Sequence, residues 1–194
     1  MPVSIRTRWG AGLMRLFRRK LARQTGKARQ FLHRQDGAVA IEFGMVAAPF
    51  LALIFAILET AIVFFADQTL ETAVADSSRL IMTGQAQTAN MTAASFKTEV
   101  CKRIYALFDC TTGVYVDVKS YANFASINIT SPIDANGNLV NDFIYSPGGP
   151  GSIVVVRLIY KWPVYSVLGF NLANMTGGKR LLVATSAFRN EAYN

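Results

Sequence analysis

The longest feature in the hydrophobic pattern of this 194-residue chain is an uninterrupted apolar run from Phe43 to Ala66. These twenty-four residues include one charged side chain, Glu59, and neither lysine nor arginine. A helix of that length is about 36 Å long, enough to cross a hydrocarbon core of about 30 Å with some tilt. Helices of soluble proteins rarely stay apolar on every side for six turns. The run therefore predicts a transmembrane helix rather than the core helix of a soluble protein.

After the apolar run, apolar residues recur every three or four positions, which predicts that the helix continues with one apolar face. Gly84 is the expected end of this helix, because glycine commonly follows the last turn. A second amphipathic helix is predicted over 92–107. The positions on the apolar faces are Leu70, Ala73, Val74, Ser77, Leu80 and Ile81 in the first stretch, and Phe96, Val100, Ile104 and Leu107 in the second.

The C-terminal part of the chain shows the alternation and the β-branched runs that are typical of strands. Strands are predicted over 113–121, 152–162 and 179–191, with turn-rich stretches between them at 131–138 and 146–151. Three strands with long connections favour a small antiparallel sheet packed on the helix. The predicted fold class is therefore α+β, with a long N-terminal transmembrane and stalk helix and a small antiparallel β-sheet head.

The charge distribution gives the predicted membrane helix an orientation. Residues 1–36 hold ten of the twenty lysines and arginines and one acid, a charge of +9, whereas the remaining 158 residues carry −1. Basic residues flank the cytoplasmic end of membrane helices, so the N-terminus is expected in the cytoplasm and residues 67–194 outside it. The net charge of +8 thus reflects one basic arm, and no nucleic-acid partner is expected. A cleavable secretory signal is the alternative, but the apolar run exceeds the usual signal core.

The basic leader allows two interpretations that the residues leave open. Trp9, Leu13, Leu16, Phe17 and Leu21 recur at roughly helical spacing between the arginines, as in an amphipathic helix on the surface of a lipid bilayer. An unstructured leader that only sets the topology is the alternative. The single histidine, His33, is interpreted as an ordinary leader residue.

A short motif, Gly37-Ala38-Val39-Ala40-Ile41-Glu42-Phe43, lies where the leader meets the apolar run. An unpaired carboxylate at the start of a membrane helix is costly and therefore usually functional. The motif resembles the N-terminus of a type IV prepilin, in which a peptidase cuts after a glycine and a glutamate is fifth in the mature chain. The resemblance implies cleavage between Gly37 and Ala38 and pairing of Glu42 with a new α-amine of its own or a neighbouring chain. A glutamate that merely lies among headgroups, and a leader that is retained, are the alternatives.

Further residues narrow the resemblance to TadE-type proteins of the tight-adherence (Tad) pilus system. The similarity is strong over 37–84, thin in the middle of the chain and slight at 188–191, where Ala192 replaces a proline that often follows in the family. The matching features are the Glu42-Phe43 dipeptide, Pro49 early and Glu59 late in the apolar run, and the alanine-rich stretch with Ala73, Ala75 and Arg79.

This resemblance implies a minor pilin or pilin-like assembly factor of a Tad-type pilus in the bacterial inner membrane, with its head in the periplasm. The implied partners are a prepilin peptidase, other pilins or pilin-like subunits, the pilus assembly platform and the lipid bilayer. A membrane-tethered periplasmic adaptor that never enters a fibre is the alternative. The exported part has no histidine and no nucleophile motif, so no enzyme activity, cofactor or metal is expected. The expected segments are a leader 1–37, a transmembrane helix 38–66, a helical stalk 67–110 and a sheet head 111–194.

Two features of the apolar run suggest contact with other helices. Small residues recur every fourth position and form a ridge that winds around the helix, along which neighbouring helices can approach closely. The abundance of alanine in membrane helices is the alternative explanation. Glu59, about five turns into the run, is expected to face protein rather than lipid, although its side chain could instead extend to the outer surface. The ridge consists of Ala40, Gly44, Ala48, Ala52 and Ala56.

The two cysteines, Cys101 and Cys110, are predicted to form a disulfide, because the periplasm is oxidising. On an unbroken helix their Cα atoms would be about 13 Å apart, and a disulfide requires less than about 7 Å. The second helix is therefore expected to end between them, near 107–109. Two free buried thiols are the alternative.

Overall fold

A computed structural model describes residues 35–104, 108–165 and 171–193. The predictions for the leader, including the amphipathic helix and His33, and the prediction for Leu107 lie outside these residues. The described part contains one long α-helix, three short α-helices, one 3-10 helix at Phe124–Ser126 and three strands. Their bounds are α1 Gln35–Met82, α2 Gln85–Thr88, α3 Ala93–Cys101, α4 Cys110–Gly113, β1 Val114–Tyr121, β2 Ile153–Pro163 and β3 Lys179–Arg189.

Helix α1 extends over 48 residues, with Pro49 inside it. It passes from one structural unit, which ends at Leu51, to a second that begins at Ala52. In the first unit its large apolar side chains are between 50% and 74% exposed. Among the described residues, one helical stretch, Val39–Met82, is long and apolar enough to cross a membrane.

The end of α1 is set by a glycine, as the sequence predicts. Gly84 has φ 77° and ψ 1°, the left-handed conformation that stops a helix and that glycine adopts most easily. The ring of Tyr193 lies directly against its Cα, in the space that a Cβ would need. The backbone N–H of Glu191 donates to Met82 O at 2.9 Å, so the C-terminal segment packs over the end of the helix.

Helix α3 is shorter than predicted. It begins after Thr92, whose side chain forms a reciprocal capping box with Ser95. It ends at Cys101, not near 107–109, so the predicted end was wrong. The chain turns there through i→i+3 hydrogen bonds, including Ile104 N–H to Cys101 O at 3.4 Å. Ile104 therefore reaches the core from a turn, and the helical periodicity of the sequence continues past the true end of the helix.

The three strands form one antiparallel sheet in the order β1-β2-β3, within two residues of the predicted strand ends. Val118 pairs with Val156, which in turn pairs with Ser186. Strand β3 ends at Arg189, and the backbone N–H of the next residue, Asn190, still donates to Ser152 O at 2.9 Å in the same register. The predicted α+β class, a long apolar N-terminal helix with a small antiparallel sheet, is confirmed.

One face of the sheet packs against α1 and forms the core of the second unit. Alternate residues of each strand point to this face, as the two-residue period of a strand requires. Helix α1 contributes a stripe at helical spacing, and α3 adds two buried residues. The core contains Val63, Ala66, Leu70, Ala73, Val74 and Ile81 from α1, Phe96 and Val100 from α3, and Val114, Val118, Val154, Val156, Leu158, Trp162, Leu182 and Ala184 from the sheet.

The opposite face of the sheet is covered by the connection 122–145. The buried Arg157 donates through Nε and Nη2 to Asp117 Oδ2, at 3.0 and 2.6 Å. Its Nη1 donates to Thr130 O at 2.9 Å, and the N–H of Ile144 donates to Asp117 Oδ1 at 3.1 Å. The ion pair thus satisfies its own buried groups and attaches the connection to the sheet at Thr130 and Ile144.

Candidate functional site

The motif from Gly37 to Phe43, called the border motif below, lies at the beginning of α1. Gly37 lies in the first turn, and a Cβ built on it would meet nothing within 4 Å. The packing of this fold therefore does not require a glycine there.

Glu42 lies one turn further along α1, and its side chain is exposed. Within residues 35–104, 108–165 and 171–193 it makes no side-chain hydrogen bond or ion pair. Its neighbours Ile41 and Phe43 are 61% and 74% exposed. An unpaired carboxylate in an apolar surface can bind a cation supplied from outside this segment, such as an amine.

The small-residue ridge is open at its N-terminal end. Ala40, Gly44 and Ala48 are exposed, whereas Ala52 is buried and Ala56 is half-buried. A Cβ on Gly44 would also meet nothing within 4 Å. The first three positions therefore offer a strip on which a second helix can pack closely.

Glu59 has a partner in the head. Its Oε1 accepts a hydrogen bond from the backbone N–H of Tyr165 at 2.6 Å, and its side chain is half-buried. The two residues border an apolar cleft of about 370 Å³. A carboxylate inside the apolar run is thus bound to the chain that follows β2. The other residues that line the cleft are Phe55, Leu58 and Ile62 from α1, with Trp162 and Pro163 from the end of β2.

Sequence reasoning missed the segment Trp162–Tyr165 as part of this site. Tyr165 is 75% exposed beside the apolar run, while Trp162 is buried against the core. Tryptophan and tyrosine are enriched where membrane proteins cross the headgroup layer. The KWPVY sequence at the end of a strand was the available signal.

The predicted disulfide is confirmed: Cys101 and Cys110 are joined, with Cα atoms 5.6 Å apart. Asp109 caps the short helix α4 beside it, since its carboxylate accepts hydrogen bonds from the hydroxyl and the backbone N–H of Thr112. These hydrogen bonds, with the hydroxyl contributing most, hold the pKa of Asp109 below its usual value. The disulfide therefore joins the last residue of α3 to the first residue of α4, which leads directly into β1.

Comparison with known families gives one match in the N-terminal part of the chain. Residues 37–79 match a family model described as TadE-like protein. This stretch contains the border motif, the apolar run and the beginning of the stalk, so the resemblance inferred from the sequence is confirmed there. No curated protein and no solved structure matches the chain.

Proposed function

We propose that this protein is a minor pilin or pilin-like assembly factor of a Tad-type pilus, processed by a prepilin peptidase between Gly37 and Ala38. The observation that carries the proposal is the TadE-like match over residues 37–79, which supports a pilin-like protein associated with Tad pili. The apolar helix anchors such a protein in a membrane. The role is structural, and the chain is a substrate of the peptidase rather than an enzyme.

Two independent features support an orientation with the head in the periplasm. The leader carries a charge of +9 on the N-terminal side of the apolar run, which favours a cytoplasmic N-terminus. The disulfide between Cys101 and Cys110 lies on the other side of the run, and stable disulfides are typical of the oxidising periplasm. Both features favour residues 67–194 as the exported part.

The processing step can be tested with two matched glycines. Gly37 and Gly44 both lie in α1 with open space around them, so an alanine side chain fits at both positions without a clash. We expect Gly37→Ala to prevent cleavage and Gly44→Ala to leave it unchanged. N-terminal sequencing of the membrane form distinguishes an Ala38 start from a Met1 or Pro2 start. Cleavage after residue 37 in Gly37→Ala would contradict the role of the glycine.

Glu42 then becomes the fifth residue of the mature chain. Free α-amines ordinarily have a pKa near 8 and are mostly protonated at neutral pH, so a new α-amine at Ala38 can pair with a carboxylate four residues away or on a neighbouring subunit. We expect Glu42→Gln to be cleaved and inserted normally but to reduce recovery in pili. Normal recovery of Glu42→Gln in pili would contradict the pairing role.

Glu59 is proposed to hold the head against the membrane helix during assembly. Its bond to Tyr165 N–H needs an acceptor oxygen rather than a charge, so Glu59→Gln retains the bond and Glu59→Ala removes it. We expect Glu59→Ala to reduce assembly much more than Glu59→Gln. Unchanged insertion and pilus assembly in Glu59→Ala would contradict this role.

A membrane-tethered adaptor that never enters a fibre is the second candidate function. The observation that favours it is the exposed Tyr165 beside the apolar run, because an interfacial aromatic suits a subunit that stays in the bilayer. Detection of the protein in sheared pili supports the pilin. Detection only in the inner membrane supports the adaptor.

A further inference from the structure

A second cavity, of about 390 Å³, lies between α1 and the first residues of β3. It is lined on one side by Thr60, Phe64 and Asp67 and on the other by Leu172 and Arg180. Phe64 is 67% exposed, so the apolar wall continues onto the open surface of the helix. The cavity lies at the end of the apolar run, immediately before the stalk.

Two opposite charges face this cavity without binding each other. Asp67 and Arg180 are both half-buried, and no ion pair within 4.0 Å involves either of them in the described part of the chain. Arg180 has an even position in β3, like Leu182 and Ala184, and therefore points to the face of the sheet that α1 covers. Its Nη1 donates to Leu172 O at 3.2 Å, and within residues 35–104, 108–165 and 171–193 its remaining N–H groups make no other hydrogen bond and can bind a ligand.

We propose that this cavity binds the headgroup of a zwitterionic phospholipid that carries a primary ammonium. Arg180 donates to the phosphate, since a guanidinium matches phosphate geometry, and Asp67 accepts from the ammonium. The first methylenes of an acyl chain lie against Phe64. The cavity volume is within the range of small-molecule sites.

The depth of the cavity in the membrane favours a lipid over a soluble anion. If residues 43–66 cross the bilayer, Asp67 lies at the level of the headgroups, and Thr60 and Phe64 lie against hydrocarbon. A soluble phosphate would use Arg180 but gain nothing from the apolar wall. The inference rests on the proposed membrane anchoring and is independent of the pilus role.

Lipid exchange in nanodiscs tests the proposal with the full-length chain. The disc contains phosphatidylcholine, with phosphatidylethanolamine added in steps, and native mass spectrometry after release from the disc measures the retained lipid. We expect preferential retention of phosphatidylethanolamine by the unmodified chain. Arg180→Gln should reduce retention of both lipids about tenfold, and Asp67→Asn should reduce only the preference for phosphatidylethanolamine.

Two matched controls separate the site from general charge effects. Arg189→Gln changes another β3 arginine that donates to one backbone carbonyl, Gly151 O, and Asp76→Asn changes an exposed aspartate on α1. Both should retain lipid like the unmodified chain. Arg180→Lys keeps the charge and should recover part of the retention that Arg180→Gln loses.

Three results would overturn the proposal. Equal retention in the unmodified chain and in a folded Arg180→Gln variant would exclude the phosphate contact. No preference of the unmodified chain for phosphatidylethanolamine would exclude the ammonium contact. Equally tight binding of soluble phosphoethanolamine would identify a site for free phosphate esters. Extraction of the protein from membranes by alkaline carbonate would instead contradict the proposed anchoring.

Discussion

The two halves of α1 have the same secondary structure but opposite surroundings. In residues 39–51 the large apolar side chains are at least half exposed, and they lie on every side of the helix. In residues 63–81 the buried apolar side chains form one stripe, and Leu70, Ala73 and Ile81 are completely buried. The difference lies in what covers the helix, not in how the helix is formed.

This contrast shows how one helix can serve two roles. An apolar surface as large as that of residues 39–51 is not stable in water and requires lipid or other helices around it. The apolar stripe of residues 63–81 is buried within the chain, because the sheet covers it. The first half is therefore available for interactions, while the second half is the scaffold of the head.

The largest expected effect comes from removing the same side chain in each half. Leu70→Ala should lower the free energy of unfolding by about 2–5 kcal/mol, because it leaves a cavity in the core. Leu51→Ala, at a side chain that is 50% exposed, should change it by less than about 0.5 kcal/mol. Denaturant unfolding of the full chain in detergent, followed by near-UV circular dichroism, measures both. Equal changes in the free energy of unfolding would contradict the division of α1 into an uncovered half and a half covered by the sheet.

The disulfide should stabilise only the head. Its loss should lower the free energy of unfolding of the head by about 2–3 kcal/mol, because the closed loop between Cys101 and Cys110 is short. The helicity of residues 39–51 should not change. Unfolding with and without reductant measures the effect, and a variant with serine at both positions is the control that reductant should leave unchanged. Labelling of both thiols in denatured, unreduced protein would contradict the bond.

Gly44, inside α1, and Gly84, just after its end, offer a comparison with a smaller expected change in stability. Gly84→Ala should lower the free energy of unfolding by about 1–2 kcal/mol, since alanine is strained at φ 77°. The new Cβ would also displace the ring of Tyr193. Gly44→Ala should leave stability unchanged or raise it by up to about 1 kcal/mol. Thermal unfolding of both variants tests this, and a destabilised Gly44→Ala would indicate hidden packing in the first half.

The smallest expected effect is the pH dependence that Asp109 contributes beside the disulfide. The pKa of Asp109 is lowered by its hydrogen bonds from Thr112, so the stabilisation is present above the ordinary aspartate pKa near 4. It is lost as the pH falls through the lower pKa of the folded state. Because the carboxylate is exposed to solvent, the change in stability should be small. Nuclear magnetic resonance titration should show the pKa of Asp109 rising in Thr112→Ala, and an unchanged pKa would contradict the assignment.

Local signals made most of the fold predictable from sequence. The apolar run, the left-handed stop at Gly84 and the three strands depend on residues close together in the chain, so periodicity and turn residues identify them. The end of α3 was not predictable in this way. Ile104 keeps the helical spacing although it belongs to a turn. The disulfide requires α3 to end between the two cysteines, but it does not specify at which residue.

Contacts between distant residues could not be predicted. Tyr165 is 106 residues from Glu59, and its contribution is a backbone N–H, which no side-chain pattern reveals. Asp117 was part of an alternating strand, whose polar residues normally face water. It is buried because the connection 122–145 covers that face, and its pairing with Arg157 depends on the strand register. The cleavage site, the ridge and the roles of Glu42 and Glu59 remain predictions.

The connection that covers the outer face of the sheet affects how the sequences of such proteins can diverge. No residue from 122 to 144 belongs to the core that joins the sheet to α1. Substitutions and insertions in this connection therefore leave the scaffold unchanged, as is usual for surface loops. We expect related chains to differ most in this connection while they keep Asp117 and Arg157, which attach it. The outward surface of the head can then vary between related chains while α1 and the face of the sheet that it covers stay the same.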